Sequence, residues 1–176
     1  MVYLFLADGF EDIEAVQTRD LLIRAGVEVK TVGIGSKKVT SAFGLPVEAD
    51  ISENDVDMSK AEGIILPGGL PGANNLKASK TVSEAIGYAL EHDLVIGAIC
   101  AAPGAVLKGT GALFGKRYTC FPGWQVDEGT YTAEKAVTDG DLITANGPAA
   151  AAEFAVRLAE KFASAEDVQK LKNMYK

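Results

Sequence analysis

Residues 2–7 form an almost unbroken apolar run closed by Asp8-Gly9, the pattern of a strand buried on both faces. From Glu11 the period lengthens to that of a helix. Ile13, Val16, Leu21, Leu22 and Ala25 fall on the inward side, Glu11, Asp12 and Glu14 occupy the first turn, where negative charge suits the helix dipole, and Gly26 supplies the stop. Residues 27–34 predict a second strand. Residues 35–57 lack a sustained period and predict a small hairpin pairing Val39 with residues 47–51. A third strand, residues 63–66, runs into Pro67-Gly68-Gly69-Leu70-Pro71-Gly72, and residues 81–92 predict a helix with Val82, Ala85, Ile86 and Ala89 inward. Residues 94–99 are a fourth buried strand, with Cys100 at its carboxyl end and an apolar segment, 101–107, able to start a helix behind it. Residues 117–145 read as short strands turning at Asp139-Gly140. Pro148 opens a long helix carrying Phe154, Val156, Leu158 and Phe162, and a tail helix starts near Glu166.

Strands alternating with helices in this way predict a mostly parallel α/β sheet with helices on both faces, and no linker or repeat divides residues 1–176 into more than one domain. Composition agrees: 48% hydrophobic and 23% charged residues suffice for one substantial core. A balance of 17 basic against 24 acidic residues, net −7, argues against nucleic acid or anionic lipid as a partner. The longest apolar stretch, residues 94–107, is too short for a membrane span and is broken by Gly97, Pro103 and Gly104. No basic segment precedes the first apolar run, and two cysteines make no disulfide framework, so a cytoplasmic location is expected. One histidine, with neither CxxC nor HExxH, predicts no metal site.

Ligands in open α/β sheets bind beyond the carboxyl ends of the strands, which places Glu14, Gly68-Gly69 and Cys100 in the loops of interest. Cys100 sits in Gly97-Ala98-Ile99-Cys100-Ala101-Ala102-Pro103-Gly104, a strand-to-helix junction with the small residues that a nucleophile elbow requires. A helix amino terminus would favour the thiolate there and lower its pKa; a small buried hydrophobe is the plainer role for such a cysteine. His92 precedes the fourth strand and Cys100 follows it, so about seven residues at about 3.3 Å each separate them by on the order of 20 Å, which excludes a Cys-His dyad within one subunit. His92 and Arg24 read as helix-end cations.

Glu14 is then the best remaining acid or base. Desolvated near a thiolate, its carboxyl would have a raised pKa and could shuttle a proton, although simple dipole compensation is the plainer reading of an acid at that position. The amides of Gly68, Gly69 and Ala101 could form an oxyanion site. Cys120 reads as a strand residue, with a pocket or resolving-thiol role as the alternative, and Trp124 as a lid or interface anchor. Gly33-Ile34-Gly35 and Gly115-Lys116-Arg117 lack the remaining residues of nucleotide-binding motifs and read as turns.

Several segments together resemble the ThiJ/PfpI superfamily in its DJ-one-like branch. They are residues 7–14 (Ala-Asp-Gly-Phe-Glu-Asp-Ile-Glu), Arg24-Ala25-Gly26, Leu66-Pro67-Gly68-Gly69, Ala98-Ile99-Cys100-Ala101-Ala102-Pro103, Thr119-Cys120-Phe121-Pro122-Gly123 and Asn146-Gly147-Pro148 ahead of Glu153-Phe154-Ala155. The resemblance implies a flavodoxin-like three-layer sandwich, usually a homodimer, with Cys100 as the elbow nucleophile, Glu14 as its protonated carboxyl partner and the Gly69 and Ala101 amides at the oxyanion. The protease branch carries a histidine directly after the nucleophile, where this chain has Ala101, which counts against peptidase activity. Phe121 replaces a histidine of some relatives, and Asn146 an Arg or Gln of many. The implied activity is a cofactor-free glyoxalase or deglycase acting on small 2-oxoaldehydes or glycated substrates in carbonyl and oxidative stress. The alternative is a redox-sensing chaperone working through oxidation of Cys100.

Overall fold

In a computed structural model, described here for residues 1–174, the first strand β1 (Val2–Leu6) shows why its sequence is apolar throughout. Val2, Leu4 and Leu6 face one layer of the core, while Tyr3 and Phe5 face the other. A five-residue π-helical turn, Ile13–Gln17, leads into α1 (Thr18–Arg24), followed by β2 (Val29–Gly33). The short strands β3 (Lys38–Thr40) and β4 (Pro46–Glu48) form the expected hairpin, with Val39 opposite Val47. Ile51 leaves it: β5 (Ile51–Ser52) pairs in parallel with β2 at the sheet edge.

The chain continues through β6 (Gly63–Leu66), α2 (Gly72–Ala78), α3 (Lys80–Glu91), β7 (Val95–Ile99) and the four-residue α4 (Ala102–Ala105). It then makes β8 (Arg117–Tyr118), β9 (Thr130–Tyr131), β10 (Ala136–Asp139) and β11 (Leu142–Ala145), and ends in α5 (Ala151–Phe162) and α6 (Ala165–Met174). The main sheet has the order β10-β11-β7-β6-β1-β2-β5, parallel except for β10 against β11. Residues of α1, α5 and α6 cover one face, and residues of α2, α3 and α4 cover the other, giving the three-layer α/β sandwich. Gly97 in β7 lets α5 approach closely, since a Cβ there would meet Leu158 Cδ2 at 2.9 Å and Phe154 Cζ at 3.1 Å. Among the described residues no helix is long and apolar enough to cross a membrane.

The first helix departs from its expected register. Ile13 and Val16 are 50% and 49% exposed, whereas Glu14 and Ala15 are buried. The buried residues Glu11, Glu14, Ala15, Thr18, Leu21, Leu22 and Ala25 recur at spacings of three and four and form one helical face, and Ile13 and Val16 lie on the other side of it.

Candidate active site

β7 delivers Cys100 to the carboxyl edge of the sheet, and the chain turns there in a left-handed conformation, φ 64°. A residue with a Cβ rarely adopts that geometry, which costs on the order of 1–3 kcal/mol and persists only where neighbours over-determine it. They do so here: the Cys100 amide donates to Ala145 O at 2.8 Å, and its carbonyl accepts from the Phe121 amide at 2.8 Å. The thiol is half-buried, and the Ala101 and Gly69 amides direct hydrogen bonds at the sulfur.

The π-helical turn brings Glu14 to the same place. Its side chain is fully buried, and its Oε2 accepts from the Gly68 amide at 2.7 Å. Its Oε1 is buried without a hydrogen-bond partner. Both Glu14 Oε2 and Cys100 Sγ border the missing side chain of Gly68, lying 2.8 Å and 3.0 Å from where a Cβ would stand. Burial pushes the Glu14 carboxyl up to about 7, hydrogen bonds from Cys100 and Gly68 oppose the shift, and the Glu11 charge adds to it. Burial, then the charge and hydrogen bonding of Glu14, push the Cys100 thiol up to about 12 against the pull of the Ala101 and Gly69 amides.

Two expectations change. The Cys100 pKa is raised overall: the Ala101 amide at the start of α4 pulls it down, but burial and the adjacent carboxyl outweigh that pull. The Gly68 amide is engaged by Glu14, so it is Gly69 and Ala101 whose amides face the sulfur. Cys100 and Glu14 titrate as a pair, which holds one proton between about pH 7 and about pH 12.

The remaining candidates fall outside this pair. Cys120 follows β8 instead of lying within a strand, is fully buried in the α2/α3-side core, and has its thiol pushed up to about 11 by burial. Trp124 packs against that same layer. His92 closes α3, stacked on Tyr88 with ring centroids 3.8 Å apart, at the end of β7 opposite Cys100. Arg24 pairs with Asp20 at 2.7 Å near the end of α1. Phe121, 45% exposed, borders Gly147, and the Asn146 amide bonds Lys135 O. Among the described residues no group of three or more His, Cys, Asp or Glu side chains is placed to hold a metal ion. Glu11, read from sequence only as a charge in a helical first turn, is buried beside Glu14 and bonded to it. Its signal was the three-residue spacing to Glu14, the reach of a carboxylate onto a free helical amide.

The chain is similar to known proteins over most of its length. The profile of the DJ-1/PfpI family matches residues 1–161. The chain belongs to the DJ-1/PfpI family. Within it, the chain is 36% identical over 173 residues to protein dj-1beta of Drosophila melanogaster, covering 96% of this chain and 92% of that one. It is 31% identical over 165 residues to a glutathione-independent glyoxalase of Caenorhabditis elegans, covering 92% of this chain and 87% of that one. The crystal structure of Drosophila DJ-1beta superposes with a TM-score of 0.93 at 34% identity, covering 99% of this chain and 96% of the other. The flavodoxin-like DJ-1 fold is thus this chain's fold.

Proposed function

We propose that this protein is a cysteine-dependent enzyme that converts small 2-oxoaldehydes to 2-hydroxy acids without an organic cofactor. The observation that carries the reading is the elbow thiol of Cys100 beside a buried carboxyl whose second oxygen has no protein partner. The glyoxalase name of the C. elegans relative supports it. Cys100 Sγ attacks the aldehyde carbon as its proton passes to Glu14, which delivers it to the carbonyl oxygen, giving a hemithioacetal and an ionised Glu14. The Ala101 and Gly69 amides stabilise the oxyanion as it forms. Glu14 removes the proton from C1, giving an enediolate, and returns it to C2 while the C1 hydroxyl proton moves to the C2 oxygen. The product is a thioester of the 2-hydroxy acid; water hydrolyses it and restores the thiol. Glycated substrates present the same carbonyl chemistry, which extends the proposal to a deglycase role in carbonyl stress within the cytoplasm.

The test is incubation of the protein, without glutathione, with methylglyoxal, glyoxal and a glycated peptide, with products followed by NMR. Lactate should form from methylglyoxal and glycolate from glyoxal. Below about pH 7 both groups of the pair carry protons and Glu14 cannot accept another. kcat/KM should therefore rise about tenfold per pH unit up to about 7 and level off above it. A protein that leaves all three substrates untouched would overturn the enzyme reading in favour of oxidation sensing at Cys100, a role suited to a half-buried thiol in a chain whose other cysteine is fully buried.

We also infer a homodimer. Ile13, Val16 and Ile23 expose an apolar strip along the first helix, and Val16 and Ile23 line a cavity of about 470 Å³ shared with Val47 of the hairpin. Burying such a strip against its own copy removes apolar surface from water. Light scattering after gel filtration should give twice the 18.4 kDa of one chain, and Val16→Asp should shift it to one chain's mass. A wild-type monomer at micromolar concentration would contradict this.

A further inference from the structure

In a helical first turn an acid at position 11 need only compensate the dipole, yet Glu11 does more. Its amide donates to Gly68 O at 3.0 Å, and its carboxylate Oε2 accepts from the Glu14 amide at 2.7 Å. The Gly68 amide donates to Glu14 Oε2 at 2.7 Å. These three bonds close a ring through Glu11, Gly68 and Glu14 that ties the segment after β1 to the loop after β6. Glu11 is only 8% exposed, and the loop presses close enough that a Cβ at Gly69 would stand 2.5 Å from its nitrogen.

We propose that Glu11 is a positioning residue for the Cys100–Glu14 pair, its carboxylate fixing the start of the π-helical turn and so aiming the Glu14 carboxyl at the sulfur. The physical need is clear. The first amides of a helical segment have no partner within it, and a buried one left unpaired is costly. Asp12, which precedes the turn, makes no side-chain cap hydrogen bond, whereas the Glu11 carboxylate takes the Glu14 amide and its carbonyl takes the Ala15 amide at 3.1 Å. A carboxylate there, unlike a serine or asparagine, also adds negative charge beside Glu14, which disfavours a second charge and holds a proton on Glu14 to higher pH.

The titratable neighbours are few. Cys100 and Glu11 act on Glu14, and Asp12 acts on Glu11. From α5, which packs on the π-helical turn, the charged residues Glu153 and Arg157 pair with each other at 2.7 Å.

This inference rests on the catalytic reading for its rate effects, so the experiment adds a readout that does not need turnover. Alkylation of Cys100 by iodoacetamide, followed by mass spectrometry across pH 5–9, is compared in wild type, Glu11→Gln and Glu11→Ala, alongside methylglyoxal kinetics. Glu11→Gln keeps the acceptor and loses the charge. Its kcat should stay within about threefold of wild type, while the inflections in both the rate and alkylation profiles move to lower pH. Glu11→Ala frees the turn and should lower kcat about 100-fold, the order expected for a misplacement near 1 Å, with KM changed about twofold at most. The proposal is overturned if Glu11→Gln leaves the alkylation inflection in place, or if Glu11→Ala alkylates and turns over like wild type. Shifted alkylation profiles in proteins that lack turnover altogether would sink the glyoxalase reading and leave the positioning role standing.

Discussion

Glu14→Gln is expected to be nearly inactive and, at neutral pH, more stable than wild type. The amide is close to isosteric, and its oxygen can still accept from the Gly68 N–H, so the elbow keeps its shape. What disappears is a group that takes and returns a proton. General acid–base catalysis of this kind contributes about 10²- to 10⁴-fold, so turnover of methylglyoxal should fall by that order. Cys100→Ala, which removes the nucleophile, should reach background. The stability effect has a definite sign. Burial raises the Glu14 pKa from 4.5 to about 7 in the folded protein, so ionising it opposes folding. Its contribution to stability is fully present below about pH 4.5, is lost as pH rises to about 7, and is constant above that. At 1.36 kcal/mol per pKa unit the loss is about 3 kcal/mol. Urea unfolding at intervals from pH 4.5 to 8.5 should show wild type weakening relative to Glu14→Gln across this window, with the gap greatest above pH 7. Parallel stability profiles would mean that Glu14 ionises freely in the folded state, and the shared-proton mechanism would lose its basis.

That cost explains why the site was only partly legible in the sequence. Cys100 could be located by counting: an apolar strand ends at Ile99, small residues follow, and the elbow lies between them. β6 could be placed for the same reason, and His92 could be set aside because a strand's rise separates it from Cys100. The burial of Glu14 could not be read from residue type. A regular helix through Leu21, Leu22 and Ala25 carries Thr18, Ala15, Glu14 and Glu11 on the same face, but choosing the inward side by hydrophobicity picks Ile13 and Val16 instead of a carboxyl. Packing follows the period and not the residue type: two large apolar side chains turn outward and a carboxyl turns inward. The inversion is energetically unfavourable in an isolated chain, where the buried charge and the exposed Ile13 and Val16 both oppose it. It is the kind of local conflict expected where a fold serves chemistry or an interface. The task of the Gly68 amide is hidden in the sequence for a related reason. Pro67-Gly68-Gly69 announces a turn, but which of two neighbouring amides meets the sulfur and which meets the carboxyl depends on the close approach of the segment after β1.

Gly68→Ala should therefore disable the site with the smallest possible substitution. Gly68 lies outside the left-handed region, so alanine meets no backbone penalty there and its effect is steric. The new methyl would stand 2.6 Å from Cys100 Cβ, 2.8 Å from Glu14 Oε2 and 3.0 Å from Cys100 Sγ. Cys100 cannot retreat, because its amide and carbonyl are held by Ala145 and Phe121 and its φ is already left-handed. The Glu14 carboxyl, at the end of a flexible side chain, must give way, breaking its 2.7 Å bond to the Gly68 amide and losing its line to the sulfur. A displacement of that size should lower kcat/KM for methylglyoxal about 100-fold or more. Overpacking should lower stability by about 1–3 kcal/mol. Gly87, within α3, is the control: a Cβ there meets nothing within 4 Å, so Gly87→Ala should stabilise by about 0.5–1 kcal/mol and leave kinetics unchanged. If Gly68→Ala keeps kcat/KM within about twofold of wild type, contact between the Glu14 carboxyl and the Cys100 sulfur is not what drives turnover.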